Sequence, residues 1–476
     1  MVRVGVFETV TATAGIAASA YWLSQRNRNK NSNADTETAT SEEDLMIQEL
    51  LPFETSDLMI QNVTSISAMT WYNGDIRKLK SPLRKRIRLI LEANPWLCGR
   101  LRKTKKKGDK RRIALVYSTD TEKLVSEEID AIFKCLDVES NTKCPLTRHL
   151  DYEKLPKILG DTLVDNSNKL IDKVDESGIL FKISLIADYK KPNKNFALVV
   201  SMAHCIGDGQ TFYNLHNMLG IKDKRDLIVQ LNPQRKFDMP EKMEICLGGM
   251  EHASAMTNPP AGFVTRFIAG LLSSQILGAK TIVKMFTLNE EWIALEKQRA
   301  KDSGCDFVST NDIVVSSLFQ SIDCDQGIMA VDFRDKIDNC LKSDAGCYFN
   351  FLILRPDDFK SPISIREAVN ELKNDGKRKP KTKPMTSFEW LNSSKLFGTC
   401  SNWNSFCSEI NMGDDVEMDI HYPVVPTDPL SVPARFVSGA YIFRHDKSGQ
   451  PALLFVGTPK IFTELCKRGM IGKELK

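Results

Sequence analysis

Two apolar runs, Leu180 to Asp188 and Phe196 to Met202, flank the turn-forming segment Lys190 to Asn195. Their length and β-branched content around a Pro-Asn turn predict an antiparallel hairpin. The second run leads directly into Ala203-His204-Cys205-Ile206-Gly207-Asp208-Gly209, and Phe212, Leu215 and Leu219 then fall on one side of a helix expected over 211–219. A strand that ends in an imidazole, with a carboxylate one turn later and glycine beyond it, places a histidine at the mouth of a cavity. That is the layout of a general base.

The same pattern reading organises the rest of the chain. Leu83, Ile87, Ile90 and Leu91 line one face of a helix over 82–93, which starts on Pro82 and stops before Asn94-Pro95. The segment from Arg100, the basic stretch to Arg112 with a turn at Lys107-Gly108-Asp109-Lys110, and the run Ile113 to Tyr117 read as a β-hairpin with charged ends. From Gly220 to about Met285 the periodicity is less distinct, which marks a crossover between domains. Within it Phe263, Val264, Phe267, Ile268, Leu271 and Leu272 recur at helical spacing, as a core-packing face or as a membrane-surface helix. Ser309-Thr310-Asn311-Asp312 opens a helix through Gln320, because a serine or threonine before an apolar run accepts the free first-turn amides.

At 476 residues the chain exceeds what one core usually organises, so two domains are expected. The divisions are a leader or anchor with a polar linker over 1–44, a first lobe over 45–220, a crossover over 221–287 and a second lobe over 288–476. A mean hydropathy of −0.26 excludes a polytopic membrane protein. Sixty-five basic against 61 acidic side chains give no footprint for nucleic acid. Twelve cysteines without a C-x-x-C pair read as free thiols of a reducing compartment. The basic segment 377–383 reads as a mobile exposed loop, or as a lure for phosphates.

The first thirty residues stand apart. Val4 to Leu23 is mostly apolar or small, followed by Arg26, Arg28 and Lys30. Ala18-Ser19-Ala20-Tyr21 looks like a leader cleavage site of plastid type, whereas the excess of positive charge after the run suits an anchor with a cytosolic body. A plain N-terminal tail is the third reading.

The motif segments, taken in order, resemble the chloramphenicol-acetyltransferase-like superfamily, including its BAHD, alcohol O-acetyltransferase and condensation branches. They are Pro95 to Leu101, Met202 to Gly209, Ser309 to Asp312, Val331-Asp332-Phe333-Arg334, Gly346 to Asn350, and Ser401-Asn402-Trp403. The resemblance implies an α/β fold of two similar lobes with mixed sheets and a channel through their interface. It implies an acyl-CoA-dependent O-acyltransferase, with acyl-CoA as co-substrate, no permanently bound cofactor and no metal, acting on a small lipophilic or secondary-metabolite alcohol.

The protein would work as a monomer, possible membrane-surface association included. In that reading His204 is the base, Asp208 and Gly209 complete the catalytic motif, and Arg334 pairs with Asp208. Ser401, Trp403 and Asn350 would face substrate or the oxyanion. The BAHD D-F-G-W-G is absent, its nearest counterpart being Asp419-Ile420-His421-Tyr422-Pro423, and Ala203 replaces the first histidine of H-H-x-x-x-D-G. A condensation-type enzyme with a carrier-protein donor and a catalytically silent scaffold are the competing functions.

Overall fold

Alternation along single strands explains how the chain layers itself. In β7 (Asn195–Met202), Phe196, Leu198, Val200 and Met202 enter a core beneath helices, while Ala197 and Val199 enter a second apolar layer on the other face. Period-two patterning puts successive side chains on opposite faces, so a strand apolar throughout is covered on both.

The computed structural model describes residues 44–56, 58–62, 64–104, 112–137, 145–221, 227–256, 258–276, 281–374, 378–381, 383–425 and 436–475. The leader or anchor, the 107–110 turn and part of the basic 377–383 segment lie outside the described residues. No helix among the described residues is long and apolar enough to cross a membrane.

The first lobe carries a five-stranded sheet in the order β12 (Glu417–Pro423), β2 (Ile66–Asn73), β7, β6 (Phe181–Ala187), β5 (Phe133–Leu136). Its last pair is parallel and the others antiparallel. Helices α1 (Lys80–Ala93) and α2 (Thr121–Ile132) cover it. The expected basic hairpin forms as β3 (Arg100–Thr104) with β4 (Arg112–Ser118), extended by β1 (Leu45–Glu49) into a separate three-stranded sheet.

The second lobe has a seven-stranded mixed sheet, ordered β10 (Phe349–Leu354), β9 (Cys324–Asp332), β11 (Leu396–Asn402), β13 (Val437–Arg444), β14 (Pro451–Gly457), β8 (Ile282–Leu288), β15 (Ile471–Leu475). The apolar layer between the lobes joins Met69, Trp71, Ala197 and Val199 of one sheet to Met285, Tyr441, Phe443 and Leu454 of the other.

Two details depart from the sequence reading and one agrees with it. The second lobe begins before 288, because β8 starts at Ile282 and pairs with β14 and β15. Within the crossover the helical spacing forms α4 (Ala261–Ile276), and Phe263 and Phe267 pack in a core with Ile328 and Phe351, as the core-packing reading of that face expects. The segment expected as a mobile basic loop is packed where described. Arg378 is buried, 3.7 Å from the Asp358 carboxylate, and its backbone N–H donates to Cys246 O.

Strand β12 comes from late in the chain yet sits at the edge of the first lobe's sheet. His421 Nδ1 is 2.8 Å from Thr70 Oγ1, Trp71 Nε1 donates to Tyr422 Oη at 3.2 Å, and Asp419 is ion-paired to Arg148. These contacts fasten a strand from late in the chain to the first lobe.

Candidate active site

β7 ends at Met202 and the chain turns through a single 3-10 turn, His204–Ile206, before Asp208 caps α3 (Gly209–Asn217). Gly207 is required by crowding. A Cβ there would lie 2.6 Å from Thr211 Cγ2 and 2.8 Å from Thr211 Cβ. Gly207→Ala is therefore expected to cost about 1–3 kcal/mol of stability, as overpacking does, measured by urea denaturation. A Cβ on Gly209 would meet nothing nearer than 3.7 Å, so Gly209 is not held to glycine by contact.

The Asp208 carboxylate turns away from the imidazole. Oδ1 accepts from Thr211 N at 3.0 Å and Thr211 Oγ1 at 3.2 Å, and Oδ2 accepts from Arg334 Nη1 at 2.8 Å and Tyr348 N at 2.9 Å. Arg334 is wholly buried and also donates to Asp344 O, Asp332 Oδ1, Thr211 Oγ1 and Gly346 O. A buried charge is tolerable only when paired and saturated with hydrogen bonds, and this one is both.

A second buried pair, which the sequence reading missed, braces the same turn. Arg235 Nε donates to Glu54 at 2.9 Å, Arg235 Nη2 donates to Ile206 O, and Glu54 accepts from Cys347 N at 2.8 Å. Its members are 181 positions apart and sit in no motif, so no local pattern announces them.

His204 lines an interface cavity of about 130 Å3. Phe53, Met59, Ile66, Phe349, Phe351 and Val425 give it an apolar wall, and the ring of Phe349 lies 5.9 Å from the imidazole. Neither lysine nor arginine lines it among the described residues. His204 Nδ1 is buried near its own backbone and makes no hydrogen bond among the described residues. Burial pushes the imidazole below its ordinary value, opposed by that backbone contact and by the Asp208 charge, so the ring is neutral near pH 7.

The structure brings Asp208, Gly209, Ser401 and Trp403 to this cavity and leaves Asn350 off its wall. Phe349 and Phe351 line it, and strand alternation turns Asn350 elsewhere, its Oδ1 accepting from Phe351 N. Trp403 Nε1 donates to Ser401 Oγ at 3.0 Å, so the indole N–H expected to face an oxyanion is already engaged. Among the described residues the Ser401 O–H has no acceptor, so it can donate. Asp332 also lines the cavity; burial raises its carboxyl, against the pull of Arg334.

Behind Trp403 lies a polar cluster with no sequence signature. Tyr213 packs edge-on to Trp403 at 6.0 Å and its hydroxyl is 3.0 Å from His421 Nε2. The His216 and His421 rings are 5.2 Å apart. Burial lowers His216 to about 4 and, together with the neighbouring His216, Arg444 and His445, holds His421 well below the usual imidazole range.

Both histidines are neutral when folded and bind protons more readily when unfolded, near pH 6.5. Stability should hold above that pH and fall as pH drops from about 6.5 toward 4. The urea midpoint measured across that range should change less in His216→Phe than in wild type.

No family model and no curated protein sequence matches the chain. Solved structures do. Trichothecene 15-O-acetyltransferase TRI3 from Fusarium sporotrichioides superposes with a TM-score of 0.55 at 8% identity, over 91% of this chain and 97% of that one. The likeness is one of fold, two α/β lobes with mixed sheets. Vinorine synthase matches with a TM-score of 0.51 at 11% identity, covering 92% of this chain and 96% of its own. TRI101 from F. sporotrichioides, solved with coenzyme A and T-2, matches at 0.51 and 13% identity over 88% and 96%.

Proposed function

We propose that the protein transfers an acyl group from a CoA thioester to the hydroxyl of a lipophilic small molecule, with His204 as general base. The observation that carries this reading is a neutral imidazole on the wall of an apolar cavity between the lobes, its motif carboxylate turned away to Arg334. That carboxylate cannot relay a proton while its oxygens accept from Arg334, Tyr348 and Thr211. Its work is to hold the loop.

With its proton on Nδ1, the imidazole uses the Nε2 lone pair to take the hydroxyl proton as the acceptor oxygen attacks the thioester carbonyl. The Ser401 O–H donates to the oxyanion as charge develops. Collapse breaks the C–S bond, and the imidazolium returns its proton to the departing thiolate, giving ester and free CoA without an acyl-enzyme. The apolar wall of Phe53, Met59, Ile66, Phe349, Phe351 and Val425 suits a lipophilic acceptor.

The test is CoA release from a panel running from acetyl- to palmitoyl-CoA, with and without hydrophobic alcohols and amines. Release that requires an alcohol supports the proposal. Release only from an acylated carrier protein would transfer it to condensation chemistry, and none from any donor would leave a silent scaffold.

A further inference from the structure

A second cleft, of about 490 Å3, lies among the outer helices of the second lobe and shares no lining residue with the first cavity. Helix α5 (Glu290–Asp302) brings Arg299, the far half of α6 (Thr310–Ile322) brings Ser317 and Gln320, Lys360 precedes α7 (Pro362–Asn374), and Arg468 ends α8 (Pro459–Lys467). Three cations therefore face one carboxylate, Glu296, leaving a net charge of +2 from 3 − 1. Glu296 is paired with Arg299. Lys360 has no ion-pair partner among the described residues, and Arg468 donates to the neutral Gln320 Oε1 at 3.3 Å.

The wall is built. Gln320 Nε2 donates to Lys360 O at 3.1 Å and to Phe359 O at 3.0 Å, so one side chain fixes both the Lys360 backbone and the Arg468 guanidinium. Ser317 is 92% buried (8% exposed), lines the cleft, and its hydroxyl makes no hydrogen bond among the described residues. The first residues of α7, Pro362 and Ile363, also line it, adding the positive end of a 13-residue helix. Trp292 supplies an aromatic wall.

We infer that this cleft binds a phosphorylated small molecule, its phosphate between Lys360, Arg468 and the Ser317 hydroxyl, at a site separate from the acyl-transfer cavity. The charge matches a phosphate dianion, and the volume lies in the range of about 300–1,000 Å3 that holds a whole metabolite. The inference does not rest on the proposed acyl transfer.

Calorimetric titration of the full chain with AMP and with inorganic phosphate tests it. Expected is saturable AMP binding that falls as salt is raised, weakens at least tenfold in Lys360→Ala/Arg468→Ala, and persists in His204→Ala. Both cations are on the surface, and Lys360→Glu, checked by its melting curve, gives a second reading in the same direction. Absence of saturable binding by either probe, or binding that the folded double variant retains, overturns the inference. AMP binding abolished by saturating CoA in His204→Ala would assign the cleft to the coenzyme's own nucleotide and overturn the separate site.

Discussion

Replacing His204 by alanine is expected to lower kcat for acyl transfer by about 10²–10⁴-fold, the range that a positioned general base contributes. The loss should fall on kcat, with acyl-CoA affinity nearly unchanged, because the imidazole acts on the acceptor proton and not on the thioester's binding. Folding should be little affected. Among the described residues the His204 ring makes no hydrogen bond to another side chain, and the turn that carries it is held by Arg235 and Asp208. Unchanged turnover in the folded variant would sink the assignment.

The pH profile offers an independent reading of the same group. Burial lowers the imidazole from its free value near 6.5, so the active, neutral form persists to more acid conditions than a free histidine would allow. kcat/KM should rise with pH along a one-proton limb centred below about 6.5 and be flat by pH 7. Acid unfolding, to which His216 contributes on protonation near 4, must be separated by returning samples to neutral pH and confirming recovery.

The parts of this fold legible in the sequence were those in which local pattern and tertiary placement agree. The hairpin of β6 and β7, helix α1 between Lys80 and Ala93, and the Ser309 cap, which forms a reciprocal box with Asp312, all lie within single windows of sequence. The Asp208–Arg334 contact was expected only through the resemblance, because its members are 126 positions apart. What stayed hidden is long-range by nature. Strand β12 pairs with β2 across some 350 residues, and Glu54, Arg235 and His421 meet their partners by topology alone. Asn350 was misplaced for a smaller reason: on a strand, one position decides which face a side chain takes.

Truncating Arg334 to alanine should be the most destabilising of these changes, about 3–5 kcal/mol, the usual result of removing one member of a buried pair. Two effects compete. Deleting the guanidinium also removes its own desolvation cost, which alone would favour the variant. It leaves Asp208 charged and buried, however, with Asp332 nearby and with amide and hydroxyl donors that do not neutralise it. The uncompensated carboxylate wins. Against a typical total stability of about 5–15 kcal/mol, such a loss should be plain in the urea midpoint. Asp208→Asn should cost less, since the shape stays and Thr211 N can still be accepted. Arg334→Lys should recover part of the loss, because a point charge restores neutrality without the fork that reaches Asp208, Asp332 and Gly346 together. A positioning role predicts one further result. At a temperature where Arg334→Lys is folded, kcat should fall while KM for acyl-CoA holds, because a displaced loop misaims His204 without altering the coenzyme's contacts. A fall in stability with kcat unchanged would leave Arg334 a structural residue alone.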